Sequence, residues 1–238
     1  MFMIKFMKQL KKKFAVFDID GTLFRSSLLI ELVEALIKEG YFPAKARKMY
    51  EEEYNLWLDR RGSYNAYIEK VVEAYVQNIR GLYLKDIQEV AERILLFHHS
   101  RIYRYTRDLI KKLQKEDYFM LAISHSPYHI VEPFARKWGF QKVYAQYYEV
   151  GGEGRFTGKV QFLDFILRKD RVLERAIEKE NLKLTGSIGV GDSDADAAFL
   201  NMVSRPIAFN PSSGLYRMAR RKRWKIVVER KDVIYTIK

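Results

Sequence analysis

Two aspartates one residue apart, Asp18 and Asp20, close the short apolar run Phe14-Ala15-Val16-Phe17 and are followed at once by Gly21 and Thr22. An apolar run of this length reads as a buried strand, and Asp-Gly reads as the turn that ends it. Unpaired carboxylates at the edge of a core are costly unless a cation or a hydrogen-bond network compensates them. Two further apolar runs end in the same manner. Tyr118-Phe119-Met120-Leu121-Ala122-Ile123 runs into Ser124-His125-Ser126-Pro127, and Ser187-Ile188-Gly189-Val190 runs into Gly191-Asp192-Ser193-Asp194-Ala195-Asp196. If these strand ends converge, Asp18, Asp20, Asp192 and Asp196 form an oxygen-only donor set beside a serine hydroxyl. Such a set suits a hard divalent cation, Mg²⁺ above all, with water and phosphate oxygens as the remaining ligands.

The elements that would bring those ends together are legible as alternating patterns. After Leu23 the spacing becomes helical for about eighty residues. Leu28, Leu29, Leu32, Val33, Leu36 and Ile37 mark a first helix, Tyr50, Tyr54, Trp57 and Leu58 a second, Tyr64, Tyr67, Ile68, Val71, Val72 and Tyr75 a third, and Ile87, Val90, Ile94, Leu95 and Phe97 a fourth. Four amphipathic helices in succession predict a small bundle inserted after the first strand. Aromatic stripes at this spacing read first as bundle core. His98 and His99 are adjacent, so they cannot share a helix face as ligands, and a solvent position at the bundle's end is expected.

From Tyr103 onward, helices and strands alternate. A helix face at Leu109, Ile110 and Leu113 precedes the second strand, and a helix through Ile130, Val131, Phe134 and Trp138 follows it. The glycine-rich segment 142–160 predicts a strand and hairpin, and one helix is expected over about 162–181. Further strands are expected at Pro206-Ile207-Ala208-Phe209 and at Ile226-Val227-Val228, the latter as the last. This alternation predicts a parallel sheet with helices on both faces, an arrangement that gathers ligands at the carboxyl ends of its strands.

Composition narrows the rest. The 238 residues suffice for one large domain or a core with a smaller unit. The absence of cysteine excludes disulfides, thiolate nucleophiles and Cys-ligated zinc, and it is compatible with a reducing cytoplasm, the expected location. A formal charge of +13 would attract phosphates, nucleic acid or anionic membrane. The basic residues are spread over helical faces, densest at Lys8 to Lys13 and Arg217 to Lys225, and no base-stacking or groove-reading motif accompanies them, which speaks against nucleic acid. No apolar run has the length to span a bilayer. At the N-terminus, Met1, Phe2, Met3, Ile4, Phe6 and Met7 precede the lysines, the reverse of a secretory signal. They could form a peripheral membrane contact or simply a lead-in packed on the core.

Taken in order, these motifs resemble the haloacid dehalogenase (HAD) superfamily, in its subfamily IB, phosphoserine-phosphatase-like branch. Asp18-Ile19-Asp20-Gly21-Thr22 looks like the first motif, Ser124 fits the second, and Gly191-Asp192 with Asp196 fits the fourth. The third is a lysine 23 positions ahead of the fourth-motif aspartate, a place held here by Lys169, with Arg168 its neighbouring rival. The resemblance covers nearly the whole chain. It implies an α/β fold with a Rossmann-like core, residues 1–23 and 102–238, and a helical cap, residues 24–101, between the first and second motifs.

The resemblance further implies a Mg²⁺-dependent phosphomonoester hydrolase. Asp18 is then the nucleophile that forms an aspartyl phosphate, and Asp20 the acid and base. Mg²⁺ is held by the Asp18 and Asp192 side chains and the Asp20 carbonyl. Lys169 and Ser124 hold the phosphoryl oxygens, with Gly21, Thr22 and the His125 backbone N–H beside them. Asp196 supports Lys169 or a metal-bound water from behind, while Asp194 caps the following helix. His125 and His129, four apart, could face together.

A small phosphate ester is the implied partner, and phosphoserine does not fit. The branch's glutamate for the substrate amine is replaced by the stretch Ser26-Ser27-Leu28, its arginine for the carboxylate by Val71, and the asparagine of its fourth motif by Ala195. A small organic or lipid phosphate is expected instead. Two other readings stay open: a phosphotransferase using the same intermediate, and a basic scaffold on anionic membrane or nucleic acid. The sequence sets no oligomeric state.

Overall fold

In a computed structural model, which describes residues 11–237, the apolar run that precedes Asp18 becomes β1 (Lys12–Phe17), the fourth strand of an eight-stranded sheet. It is followed by α1 (Leu28–Lys38), a 3₁₀ turn (Ala44–Met49), α2 (Glu51–Leu58), α3 (Tyr64–Ile79) and α4 (Leu84–His98). Then come α5 (Arg104–Lys115), β2 (Phe119–Pro127), α6 (Tyr128–Lys137), β3 (Lys142–Val150) and β4 (Phe156–Gln161). The chain continues through α7 (Leu163–Ile166), α8 (Lys169–Lys179), β5 (Leu182–Gly191), α9 (Ala197–Leu200), β6 (Arg205–Phe209), α10 (Ser213–Lys222), β7 (Lys225–Arg230) and β8 (Val233–Ile237).

The sheet order is β4-β3-β2-β1-β5-β6-β7-β8, parallel from β3 to β7, with antiparallel strands at both edges. Phe17 lies beside Ala122 of β2 and Val190 of β5, so the residues after β1, β2 and β5 emerge at one end of the sheet. Alternate residues of β1 serve opposite faces. Phe14 and Val16 pack with Val172, Leu173 and Leu215 of α8 and α10, whereas Ala15 and Phe17 pack with Ile110, Leu113, Ile130 and Phe134 of α5 and α6. A strand buried on both faces needs a continuous apolar run, and β1 has one.

The helices α1, α3 and α4 share the second of these cores through Leu32, Tyr75, Val71 and Val90. Backbone bonds tie their far end to the β3–β4 hairpin: Gly81 N–H donates to the Phe156 carbonyl (2.8 Å) and Leu84 N–H to the Gly154 carbonyl (2.9 Å). None of the described helices is long and apolar enough to cross a membrane. The amphipathic lead-in expected over Met1 to Met7, and Lys8, lie outside the described residues.

Four expectations change. The single helix expected over about 162–181 is two, α7 and α8, separated at Leu167 and Arg168. The strand at 226–228 is not the last, because β8 folds back onto it through Lys231, which adopts φ +52°. The second insert helix is not a core helix: α2 buries no residue, and Tyr54 and Leu58 are exposed. His98 is not in solvent but tucked against Phe24, its ring nitrogen 3.3 Å from Glu31.

Candidate active site

Asp18 directly follows β1, and its backbone N–H donates to the Val190 carbonyl of β5 (2.9 Å), which locks the end of one strand to the next. Ser124 lies within β2, whose last residues extend past the apolar run, and Asp192 follows β5 immediately. Lys169 is the first residue of α8. The interruption of the helix before it goes with an inward lysine, 2% exposed, while Arg168 points to solvent and pairs with Asp170 at 2.7 Å. The two candidates for the third motif thus differ by environment as well as spacing.

Lys169 Nζ sits between two carboxylates, 2.7 Å from Asp18 Oδ1 and 2.6 Å from Asp196 Oδ1. The other oxygen of Asp196 accepts from the backbone N–H groups of Asp192 (3.0 Å) and Ser193 (2.9 Å) and from the Ser193 hydroxyl (2.8 Å). Both oxygens of Asp196 are therefore engaged, one by the lysine and the other by three donors. It is the reciprocal partner in a capping box with Ser193, and the cap of the turn after β5 is Ser193 rather than Asp194. Asp194 instead accepts from the Ser212 hydroxyl at 3.1 Å, joining this loop to the start of α10.

Asp20 faces away from Lys169. Its Oδ1 accepts from the Leu28 N–H at the first turn of α1 (2.5 Å) and its Oδ2 from the Ser124 hydroxyl (3.2 Å), with the Ser126 hydroxyl also bonded to it. Thr22 donates its hydroxyl to Asp192 Oδ1 (3.0 Å), so that side chain braces a carboxylate instead of presenting a donor to the cavity. The Gly21 N–H is shared between the carbonyls of Phe24 and Ser26 (3.0 and 3.1 Å) and the Thr22 N–H reaches Ile19 (3.3 Å); both serve the loop itself.

His125 meets the Ile166 carbonyl at 3.2 Å, and burial together with Lys169 pushes its imidazole down to about 4. His129 belongs to α6 and bonds the Tyr75 hydroxyl at 2.9 Å, so the two histidines do not face each other on one helix.

Charge is badly out of balance here. Burial, then repulsion from Asp196 and Asp20, raises Asp18 to about 8 against the opposing pull of Lys169. Burial and the Asp18 and Asp196 charges push Asp192 well up, and burial raises Asp20. Asp196 goes the other way: burial opposes its charge, but Lys169 and Ser193 more than compensate and lower it. Burial likewise opposes the Lys169 charge, which Asp18 and Asp196 restore and raise. Four carboxylates thus crowd one end of the sheet, and one ammonium, paired with Asp18 and Asp196, is set against them.

This imbalance and the donor chemistry fit a divalent cation. Asp18, Asp192 and Asp196 each offer a carboxylate oxygen within 4.8 Å of the others. Both oxygens of Asp196 already accept hydrogen bonds, whereas among the described residues Asp18 has one oxygen that accepts none and the Asp192 carboxylate accepts only from Thr22, so Asp18 and Asp192 are the better-placed side-chain ligands. All-oxygen donors of this kind favour Mg²⁺ or a similar hard ion.

A cavity of about 490 Å³ opens over these groups and is lined from the insert by Tyr64, Ile68 and Glu69 of α3. Burial first, then the Asp20 and Asp192 charges, raises the Tyr64 hydroxyl, which places it in the field of the acidic pair. The position singled out in the sequence, Val71, is instead 1% exposed inside the insert core. Sequence reading missed Tyr64, Glu69 and Ser126. Ser126 had a signal, since residues two apart on a strand share a face with Ser124. Tyr64 and Glu69 had none, because the sequence does not say which side of α3 faces the sheet.

A sheet with acidic residues at the carboxyl ends of its central strands, a buried lysine and a helical insert after the first strand defines an α/β protein with a carboxylate-lined cavity at its strand ends. Residues 15–201 match the model of the haloacid dehalogenase-like hydrolases, and the chain belongs to that family. It is 26% identical to the "Inhibition of morphological differentiation protein" of Streptomyces azureus, over 90% of this chain and 77% of that one. It is 25% identical to a histidinol-phosphatase of Neisseria meningitidis serogroup C, over 91% and 98%. Its fold is similar to a solved structure described as a phospho-aspartyl intermediate analogue of phosphoserine phosphatase, with TM-score 0.61 and 22% identity, over 93% and 95%.

Proposed function

We propose that this protein is a phosphoric monoester hydrolase in which Asp18 is the nucleophile. The observation that carries the reading is the setting of Asp18. One of its oxygens is fixed by Lys169, the other accepts no hydrogen bond among the described residues, and the carboxylate opens into the cavity shared with Asp20 and Asp192. The names of the relatives support phosphomonoester chemistry, and the phosphoserine phosphatase of similar fold was solved as an analogue of its own phospho-aspartyl intermediate.

In the proposed reaction the unpartnered Asp18 oxygen attacks phosphorus, forming an O–P bond while the bond to the leaving oxygen breaks. Asp20, which burial favours in its protonated form, gives its proton to that oxygen. Water then attacks the aspartyl phosphate, Asp20 takes the proton back, and phosphate leaves with Asp18 restored. Lys169 and the His125 backbone N–H hold the phosphoryl oxygens, and the Ser124 hydroxyl joins them by turning from Asp20, to which it donates at 3.2 Å. Asp196 keeps Lys169 in place, and Thr22 keeps Asp192 in place. A divalent cation, Mg²⁺ by donor type, would be held by the Asp18 and Asp192 carboxylates and the Asp20 carbonyl, and would neutralise the charge that nucleophile and phosphate share.

In this reading residues 1–23 and 102–238 form the catalytic core and 24–101 a cap that excludes water and meets the leaving group. Phosphoserine is not the proposed substrate. Among the described residues no arginine lines the cavity over Asp18 to receive a carboxylate, and Ala195 stands at its edge. The phosphatase relatives are named for esters of different alcohols, histidinol in one and serine in the other, so the leaving group must be read from this chain's own residues.

The test is phosphate release from small phosphate esters with Mg²⁺ and with chelator, for wild type and Asp18→Asn. Metal-dependent release that falls at least about 10³-fold in the variant supports the reading. Release that survives in Asp18→Asn removes the nucleophile. Acceptor alcohols added to the same assay separate hydrolysis from transfer.

A further inference from the structure

Beside the cavity over Asp18 lies a second and larger one, about 760 Å³, between the first-motif loop and the helices α1, α2 and α3. Tyr64 lines both cavities, and the consecutive residues Ser26 and Ser27 face one each. The Tyr64 side chain is thus the wall between the cavity over Asp18 and this one.

The walls of this chamber are unusual in kind. Its apolar surface is aromatic, with Tyr50, Tyr54, Trp57, Tyr64, Tyr67 and Tyr103, and its one branched aliphatic side chain is Ile30. Trp57 stacks on Tyr67 with planes 15° apart, and Tyr54 and Tyr64 complete the cluster at ring-centroid distances of 5.2 to 6.1 Å. Tyr50 and Tyr67 are buried, but Tyr54 and Tyr64 are 37% and 38% exposed, so ring surface remains open. Of the charges on its walls, Glu31 pairs with Arg101 at 2.9 Å and Glu34 with Arg47, while Arg25, which lies over the Tyr103 ring at 5.6 Å, is offset by Glu51, so the described lining carries no net charge. An alkyl chain would want aliphatic walls, and a strongly charged group would want an uncompensated partner. A flat ring is served by offset and edge-on contacts with the exposed aromatics.

Resting on the phosphatase reading above, we infer that the second cavity receives the leaving group, and that the substrates are phosphate monoesters of alcohols carrying an aromatic ring on a short alkyl spacer. The α2 helix, which buries nothing of its own, then has a role: it presents Tyr54 and Trp57 to the ring.

The experiment compares 2-phenylethyl phosphate with 2-cyclohexylethyl phosphate, with methyl phosphate as reference. The two larger esters have the same spacer and similar leaving-group basicity, so the chemical step is matched and the ring differs. The inference expects kcat/KM to favour the phenyl ester by about fivefold, through KM. It expects that preference to shrink toward unity in Tyr54→Leu and Trp57→Leu; Tyr54 is exposed enough for its variant to fold even where that of Trp57 does not. Metal-dependent hydrolysis of all three esters with no phenyl preference, or a preference unmoved by both substitutions in folded protein, overturns the aromatic assignment and leaves the phosphatase reading standing. Silence on all three esters overturns both.

Discussion

Gly21 stands against Asp192 so closely that a methyl group at position 21 would come within 2.9 Å of the Asp192 carboxyl carbon. The residue also adopts φ +76°, a conformation that side chains other than hydrogen resist. Gly21→Ala is therefore expected to displace Asp192, lowering kcat about 10²-fold and costing about 1 to 2 kcal/mol of stability. Steady-state kinetics and urea unfolding of the variant check both, and near-normal kcat would mean that the position of Asp192 does not matter.

Cation binding has a readout independent of turnover. Because Asp18 and Asp192 crowd their charges together beside a single lysine, saturating Mg²⁺ should raise the melting temperature by about 5 °C or more over chelated protein. In Asp192→Asn the shift should be lost. An equal shift in the variant would place the ion elsewhere.

Asp196 is 0% exposed, and its two oxygens hold Lys169 and the loop after β5. Asp196→Asn removes the charge that faces the lysine and should destabilise the fold by about 3 kcal/mol, as for a broken buried pair. It should also lower activity through a displaced Lys169. Chemical denaturation measures the first effect, and a loss below about 1 kcal/mol would show Lys169 to be held adequately by Asp18 alone.

Acid should loosen the molecule through His129. Burial pushes this imidazole from 6.5 down to about 4, where it bonds the Tyr75 hydroxyl and packs on Phe156. The unfolded chain therefore binds the proton more readily, and the stability held above pH 6.5 declines as pH falls toward 4, by about 3 kcal/mol in all. His129→Gln keeps a hydrogen-bonding group and does not titrate, so its unfolding free energy should vary less over that interval. Parallel pH profiles for the two proteins would contradict this origin.

How much of this was legible depended on what each residue could signal by itself. β1 announced itself because a strand buried on both faces must be continuously apolar, and because Asp18 and Asp20 break that run. The serine and aspartates at the other strand ends followed from the same contrast. The break between α7 and α8 was hidden, since Phe165-Ile166-Leu167-Arg168 contains neither Gly nor Pro, and it falls at Arg168, whose ψ of 78° leaves the helical region. β8 was hidden because its turn uses Lys231 and Asp232 where glycine or asparagine would have marked it. The aromatic stripe of α2 has the same spacing whether its rings fill a core or line a cavity, and only the packing of α3 decides between them.

The central claim is that Asp18 carries the phosphoryl group during turnover, and acid quenching of the enzyme mixed with Mg²⁺ and a labelled phosphate ester tests it most directly. The expected result is label on the peptide containing Asp18, released by hydroxylamine and absent from Asp18→Asn. Steady turnover with no label on that peptide, or label that persists in Asp18→Asn, would contradict it.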